Sequence, residues 1–209
     1  SLFSTACAYG GPSNTLDDCG NVNAAFVGSG TTFGASYDFD NGITAAVGYA
    51  GAGDSTAGLM TQEGADSYGG NVAYTADTYG VSVTYAMVED ANGVDDTYTA
   101  LNAYWTPEGF PSISAGYEWG DDGSAAAASD ELTSYFIGIE TEVGPGTAGA
   151  ALGTKTPTVE GSSELLMYEA FYSYPVNDGM TITPLVYVKE FATGTDDETG
   201  VMVKTSFSF

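Results

Sequence analysis

The sequence predicts an all-β fold, an antiparallel β-barrel of the transmembrane type, and three observations carry that prediction. Apolar residues alternate with small or polar ones at a period of two, which is the mark of strands with two unlike faces. Tight turns rich in Asn-Gly, Asp-Gly and Pro-Gly join these runs in pairs, as hairpins require. Between the pairs lie longer, polar and acidic connections, so short and long links alternate along the chain.

The elements follow in order. "FGASYDF" (33–39) turns at Asp40, Asn41 and Gly42 into "ITAAVGYAG" (43–51). "NVAYTA" (71–76) turns through 77–80 into "VSVTYAMVE" (81–89). "TYTALNAYW" (97–105) turns through "TPEGFP" into "SISAGYEWG" (112–120). "LTSYFIGIETEV" (132–143) turns at Gly144, Pro145 and Gly146 into "TAGAALGTK" (147–155). "LLMYEAFYSY" (165–174) turns at Asn177, Asp178 and Gly179 into "MTITPLVYVKEF" (180–191), and "VMVKTSFSF" closes the chain. That makes about eleven strands, most near the ~9–11 residues that a tilted strand needs to cross a bilayer. The long links are 52–70, 90–96, 121–131, 156–164 and 192–198. A further strand at 22–28 would make the count even, but its alternation is poor.

One face of each strand is apolar and often aromatic, as in Val81, Val83, Tyr85 and Met87, or Tyr168, Ala170, Tyr172 and Tyr174. The other is small and polar, as in Ser82 and Thr84, or Ser114, Gly116 and Glu118. A soluble β-sandwich also alternates, but its outward face would be rich in Lys, Glu and Arg. Gly, Ser, Thr and Ala suit a wet interior instead. In the last strands, Tyr168, Tyr172, Ile182, Val186, Val203 and Phe207 are therefore expected to face lipid, and Glu169, Thr183, Lys189, Lys204 and Ser206 to face inward.

Composition narrows the chemistry. The 209 residues hold three lysines, no arginine and 28 acids, for a net charge of −25. Such a surface repels nucleic acid and attracts cations. With no histidine in the chain, Ser-His nucleophilic catalysis is excluded, and no enzymatic activity is expected. "GAALGTKT" (149–156) has the wrong spacing for a phosphate-binding loop and lies on a strand. Cys7 and Cys19 sit in a Gly/Ser/Asn/Asp stretch, where a short disulfide in an oxidising compartment is expected. Two cysteines without histidine leave a metal centre incomplete. "EDANGVDD" (89–96) and "DDGSAAAASDE" (121–131) lack a full calcium ligand set, so no cofactor is expected beyond diffuse Ca²⁺ or Mg²⁺ at the acidic loops.

The stretch "LGTKTPTVEGSSELLMYEAFYSYPVNDGMTITPLVYVKE", with the closing "VMVKTSFSF", resembles the end of the cyanobacterial outer-membrane porins, the OprB-like or iron uptake porin family. Residues 150–209 carry the resemblance closely and 20–149 in general style. It implies an outer-membrane location, a homotrimer, and a barrel of sixteen strands when complete, of which this chain would be the C-terminal portion. Family members carry a signal peptide and an S-layer-homology module upstream. The family label of iron or carbohydrate uptake rests on the resemblance alone, since no His, Cys and carboxylate cluster here has iron-ligand spacing.

Residues 1–32 are then expected to form an external loop segment closed by Cys7–Cys19, and 33–209 the barrel strands. The expected function is passive diffusion of small hydrophilic solutes and inorganic cations through a water-filled channel in outer-membrane lipid. The alternative is a non-conducting structural or adhesive barrel. Candidate pore-lining residues are Lys155, Lys189, Lys204, Glu169, Glu118, Thr183 and Tyr187. The three lysines, all on inward registers of the last four strands, are expected to form a small basic cluster near Glu169. That cluster would set a transverse field at a constriction.

Overall fold

The computed structural model describes residues 2–14, 16, 18–25, 30–51, 58–61, 64–89, 93–123, 131–154, 156–192 and 195–208. Among the described residues, twelve strands form one antiparallel sheet. They are β1 (Thr31–Asp38), β2 (Ile43–Gly51), β3 (Asp66–Thr75), β4 (Tyr79–Glu89), β5 (Asp95–Trp105) and β6 (Ser112–Asp121). Then come β7 (Glu131–Val143), β8 (Gly146–Thr154), β9 (Thr158–Val159), β10 (Leu166–Asn177), β11 (Met180–Lys189) and β12 (Glu198–Phe207). Apart from the two-residue β9, which pairs with β7, every strand lies beside its sequence neighbours in a plain meander. β1 and β12 end the order, and among the described residues they are not paired with each other. The described part of 22–28 is not strand.

Hairpin chemistry acts locally as the sequence implies. Gly42 has φ +84°, and a Cβ there would collide with the Thr75 carbonyl oxygen, so the β1–β2 turn needs glycine. The Asn177 side chain accepts the Gly179 N–H at 2.9 Å and shapes the β10–β11 turn. That turn is tighter than the sequence suggests, because Pro175 and Asn177 stay in β10 across a register shift. The connection expected at 52–70 is also shorter. Asp66 and Ser67 pair with Gly51 and Ala50, and Asp66 is held by the Tyr49 hydroxyl at 2.6 Å.

Burial is inverted across the sheet. On one face Val83, Tyr85, Leu101, Tyr117 and Ile137 are exposed. On the other, Ser82, Thr84, Asn102, Ser114, Glu118, Ser134 and Glu169 are buried. Aromatic residues gather near strand ends on the apolar face. Tyr37 and Phe39, Tyr74 and Tyr79, Trp105, and Tyr172 and Tyr174 flank the short turns. Phe33, Tyr49 and Tyr68 pack at the opposite end. Between these bands the face is mostly Ala, Val, Ile and Leu.

Candidate functional site: the inner face and the segment laid on it

The buried polar side chains are covered by the start of the chain. Residues 2–24 do not stand beyond the strand ends as an external loop; the described part of the segment lies across the inner face of the sheet. The correction follows from its backbone, which has no strand partner and must hydrogen-bond somewhere once buried. Side chains of the sheet supply those partners.

The outgoing arm crosses the strands one after another. Ser4 N–H donates to the Asn71 side chain on β3 at 3.0 Å, and Ala6 N–H to Ser82 Oγ on β4 at 2.9 Å. Ala8 N–H donates to Ser114 Oγ on β6 at 2.9 Å, and Gly10 N–H to Glu140 on β7 at 2.8 Å. At the far end, the Tyr9 hydroxyl and the Ser13 N–H each donate to Glu169 on β10 at 2.8 Å. The returning arm comes back over the middle strands. Asn102 donates to the Cys19 carbonyl at 2.8 Å and Ser134 to the Gly20 carbonyl at 2.9 Å. Asn23 and Ala24 N–H close the circuit on the Glu118 carboxylate, at 2.8 and 2.7 Å.

Two features fix the arms to each other and to the sheet. A Cys7–Cys19 disulfide joins them, with the Cα atoms 6.3 Å apart. A small apolar core of Tyr9, Leu16, Cys19, Phe136, Ala151 and Met167 seals the contact. Within it the Tyr9 ring packs on Phe136 at 5.3 Å and on Phe171 at 5.8 Å. Burial, with the bond to Glu169 adding to it, raises the Tyr9 phenol above its ordinary value, so it stays a neutral donor. Close approach also demands small residues beneath. A Cβ on Gly116 would strike the Cys19 carbonyl oxygen.

The candidate residues other than Lys155 have defined places. Glu118 and Glu169 face inward but do not line open space, because both are buried and spent on the segment. Buried carboxylates are tolerated when hydrogen-bond donors satisfy them, and here backbone N–H groups and the Tyr9 hydroxyl do so. Thr183 is buried and donates to Ser173 Oγ at 3.1 Å. The Tyr187 hydroxyl donates to Glu198 at 2.8 Å, and Lys189 Nζ lies 4.9 Å from the Tyr187 ring centre. Lys204 is exposed, opposite Thr183 in register. Lys155 lies outside the described residues, as do parts of the acidic stretches 89–96 and 121–131, and so does Phe209.

The expected basic cluster does not form between Lys189 and Lys204. Lys189 pairs with Glu198 and Lys204 with Thr183, six positions apart on β11. At the rise of a strand that is about 20 Å. Sharing an inward register set their face but not their height. Among the described residues, no group of three or more potential metal ligands converges.

No protein-family model matches the chain, and no curated protein does. Solved structures do. A porin refined at 1.8 Å resolution superposes with a TM-score of 0.66 at 16% identity, over 84% of this chain and 60% of that one. The anion-selective porin from Comamonas acidovorans superposes with a TM-score of 0.67 at 17% identity, over 86% of this chain and 59% of its own. The chain therefore has the porin fold and spans about three-fifths of the length of these two proteins.

Proposed function

We propose that this chain forms the wall of an outer-membrane porin, a water-filled path for passive diffusion of small hydrophilic solutes and inorganic cations, narrowed by the segment 2–24. The observation that carries the reading is the inversion of burial: apolar side chains point out of the sheet and polar ones point in. In water that arrangement wastes apolar surface. In lipid it is required, because a charge on the lipid face at mid-membrane costs about 2–4 kcal/mol. The aromatic residues near both strand ends fit the two interfaces of a bilayer. The porin fold of the two solved structures supports the same reading.

With 28 acids and three lysines, the channel should concentrate cations at its mouth and prefer them at low salt, an effect screened beyond about 8 Å at physiological ionic strength. The resemblance of residues 150–209 to the cyanobacterial OprB-like family extends the proposal to that family, to a homotrimer, and to iron or carbohydrate as the solute. In this topology the long connections face the cell exterior, while the segment 2–24 lies inside the channel.

One observation favours the alternative, a non-conducting structural barrel: the segment covers the inner face from β3 to β10. Planar-bilayer recording separates the two. Discrete steps with a reversal potential of cation sign in a KCl gradient support the porin. A silent membrane, with the protein demonstrably inserted, supports the structural barrel.

A further inference from the structure

Where the segment ends, the inner face opens into a pocket of about 380 Å³ reaching from β7 to β12. Five hydroxyl side chains and one cation dominate its lining: Thr147, Ser173, Thr181, Thr183, Ser206 and Lys204. We propose that this pocket binds a small organic carboxylate, with Lys204 holding the anion and the neighbouring hydroxyls completing its hydrogen bonds. The proposal deepens the channel reading and rests on it for the route by which a solute arrives.

The register assembles the site. Lys204 lies directly opposite Thr183, and Ser206 opposite Thr181, so two cross-strand pairs stack on the inner face. Thr183 is oriented by its bond to Ser173 at 3.1 Å. A lysine ammonium offers three donors, and the Thr147, Ser173, Thr181 and Ser206 hydroxyls can each add one more, while Thr183 spends its own on orienting Ser173. Hydrogen bonds from an ammonium to a carboxylate are among the stronger kinds in proteins. Phe171 and Pro12 give the pocket an apolar side, which suits a short carbon chain better than a bare halide.

A chain this acidic would be expected to neutralise its few lysines internally, yet among the described residues Lys204 has no ion pair. Geometry explains it. Glu140, which lines the same pocket, stands four strands away on β7 and already accepts the Gly10 N–H. Four strand spacings are about 19 Å along the sheet. Glu169 is two strands and four positions distant, with Tyr9 and Ser13 on its two oxygens. Among the described residues neither carboxylate forms an ion pair with Lys204, so the ammonium's three donors are open to a ligand.

Binding of ¹³C-labelled lactate to the detergent-solubilised protein, followed by NMR titration, tests this directly. Propane-1,2-diol, which lacks the carboxylate, is the control. Saturable lactate binding is expected, with the diol at least tenfold weaker. Lys204→Gln should weaken lactate at least tenfold, Lys204→Arg should keep it within a few-fold, and Thr183→Val should weaken it several-fold. Unboiled gel mobility checks that each variant stays folded. Equal binding of lactate and diol, or an unchanged affinity in Lys204→Gln, overturns the proposal. The channel reading fails separately: a protein that binds lactate through Lys204 yet passes no current retains the site and loses the porin.

Discussion

Two parts of one inner face behave differently. Beneath the segment, from β3 to β10, most inward side chains are buried, and many of the polar ones bond to backbone groups of residues 2–24. At β11 and β12 the same inward alternation leads to hydroxyls around an exposed lysine, with no chain laid across them at Lys204. The strands are alike in period and pairing, so the difference comes from what lies on them. Small and polar inward residues can make room for water or for more protein, and here they do both, in adjoining regions.

The largest effect should come from removing a seat. Glu118→Ala leaves the buried Ala24 amide and the half-buried Asn23 amide without an acceptor, together about 3–4 kcal/mol. The expected outcome is release of the returning arm, read as loss of amide-exchange protection at 23 and 24 while the strands stay protected. Full protection at those amides would erase the distinction between the covered and open regions.

Opening the disulfide should act next. Cys7 and Cys19 enclose a short loop with a sequence separation of 12, for which chain entropy gives about 3 kcal/mol. Cys7→Ser with Cys19→Ser should therefore lower the protection of Ala8 and Gly10 amides, with little change at β11 and β12. Equal loosening of both regions would mean that the segment stabilises the whole sheet.

Tyr9→Phe removes one hydrogen bond to Glu169 and should cost about 1–2 kcal/mol of segment docking. The pH dependence has a definite sign. Burial and Glu169 raise the folded phenol, so its contribution is full below the ordinary value of 10.0 and is lost as pH rises beyond it. The native segment should detach in alkali more readily than the Tyr9→Phe segment does relative to its own neutral state. The difference in tyrosinate absorbance between the native protein and Tyr9→Phe checks this, since it should appear only above the ordinary value of 10.0.

The smallest effect is expected at Lys189, whose ammonium lies over the Tyr187 ring and touches the segment only through it. Lys189→Gln should change stability by under about 1 kcal/mol and slightly strengthen cation preference in a salt gradient. A large stability loss would mean that the lysine, and not only Tyr187, holds that end of β11 to the core.

Much of this was legible in the sequence. A period of two shows the strands, the turn residues show the hairpins, and alternation assigned Tyr168, Val186 and Val203 to the opposite face from Glu169 and Lys204. The segment was not legible, for a physical reason. Its partners are side chains as far away as Glu169, 160 positions from Tyr9, and it has no periodicity of its own. Glu118 and Glu169 stood out as acids in the middle of inward registers, but all the groups that satisfy them except the Tyr9 hydroxyl are backbone amides, which nearly every residue carries. Gly116 read as open lumen for the same reason: the space its missing side chain leaves is filled by Cys19. The lysines show a second limit. Period two gives the face of a residue, but its height needs the register of Lys204 against Thr183 and of Lys189 against Glu198.

Single-channel conductance of the native protein beside Glu118→Ala, in the same bilayer and salt, tests most directly whether the segment narrows a water-filled path. Discrete steps in the native protein, and larger steps in the variant at unchanged unitary sign of selectivity, are the expected result. Steps of equal size, with the arm shown to be released, would contradict it.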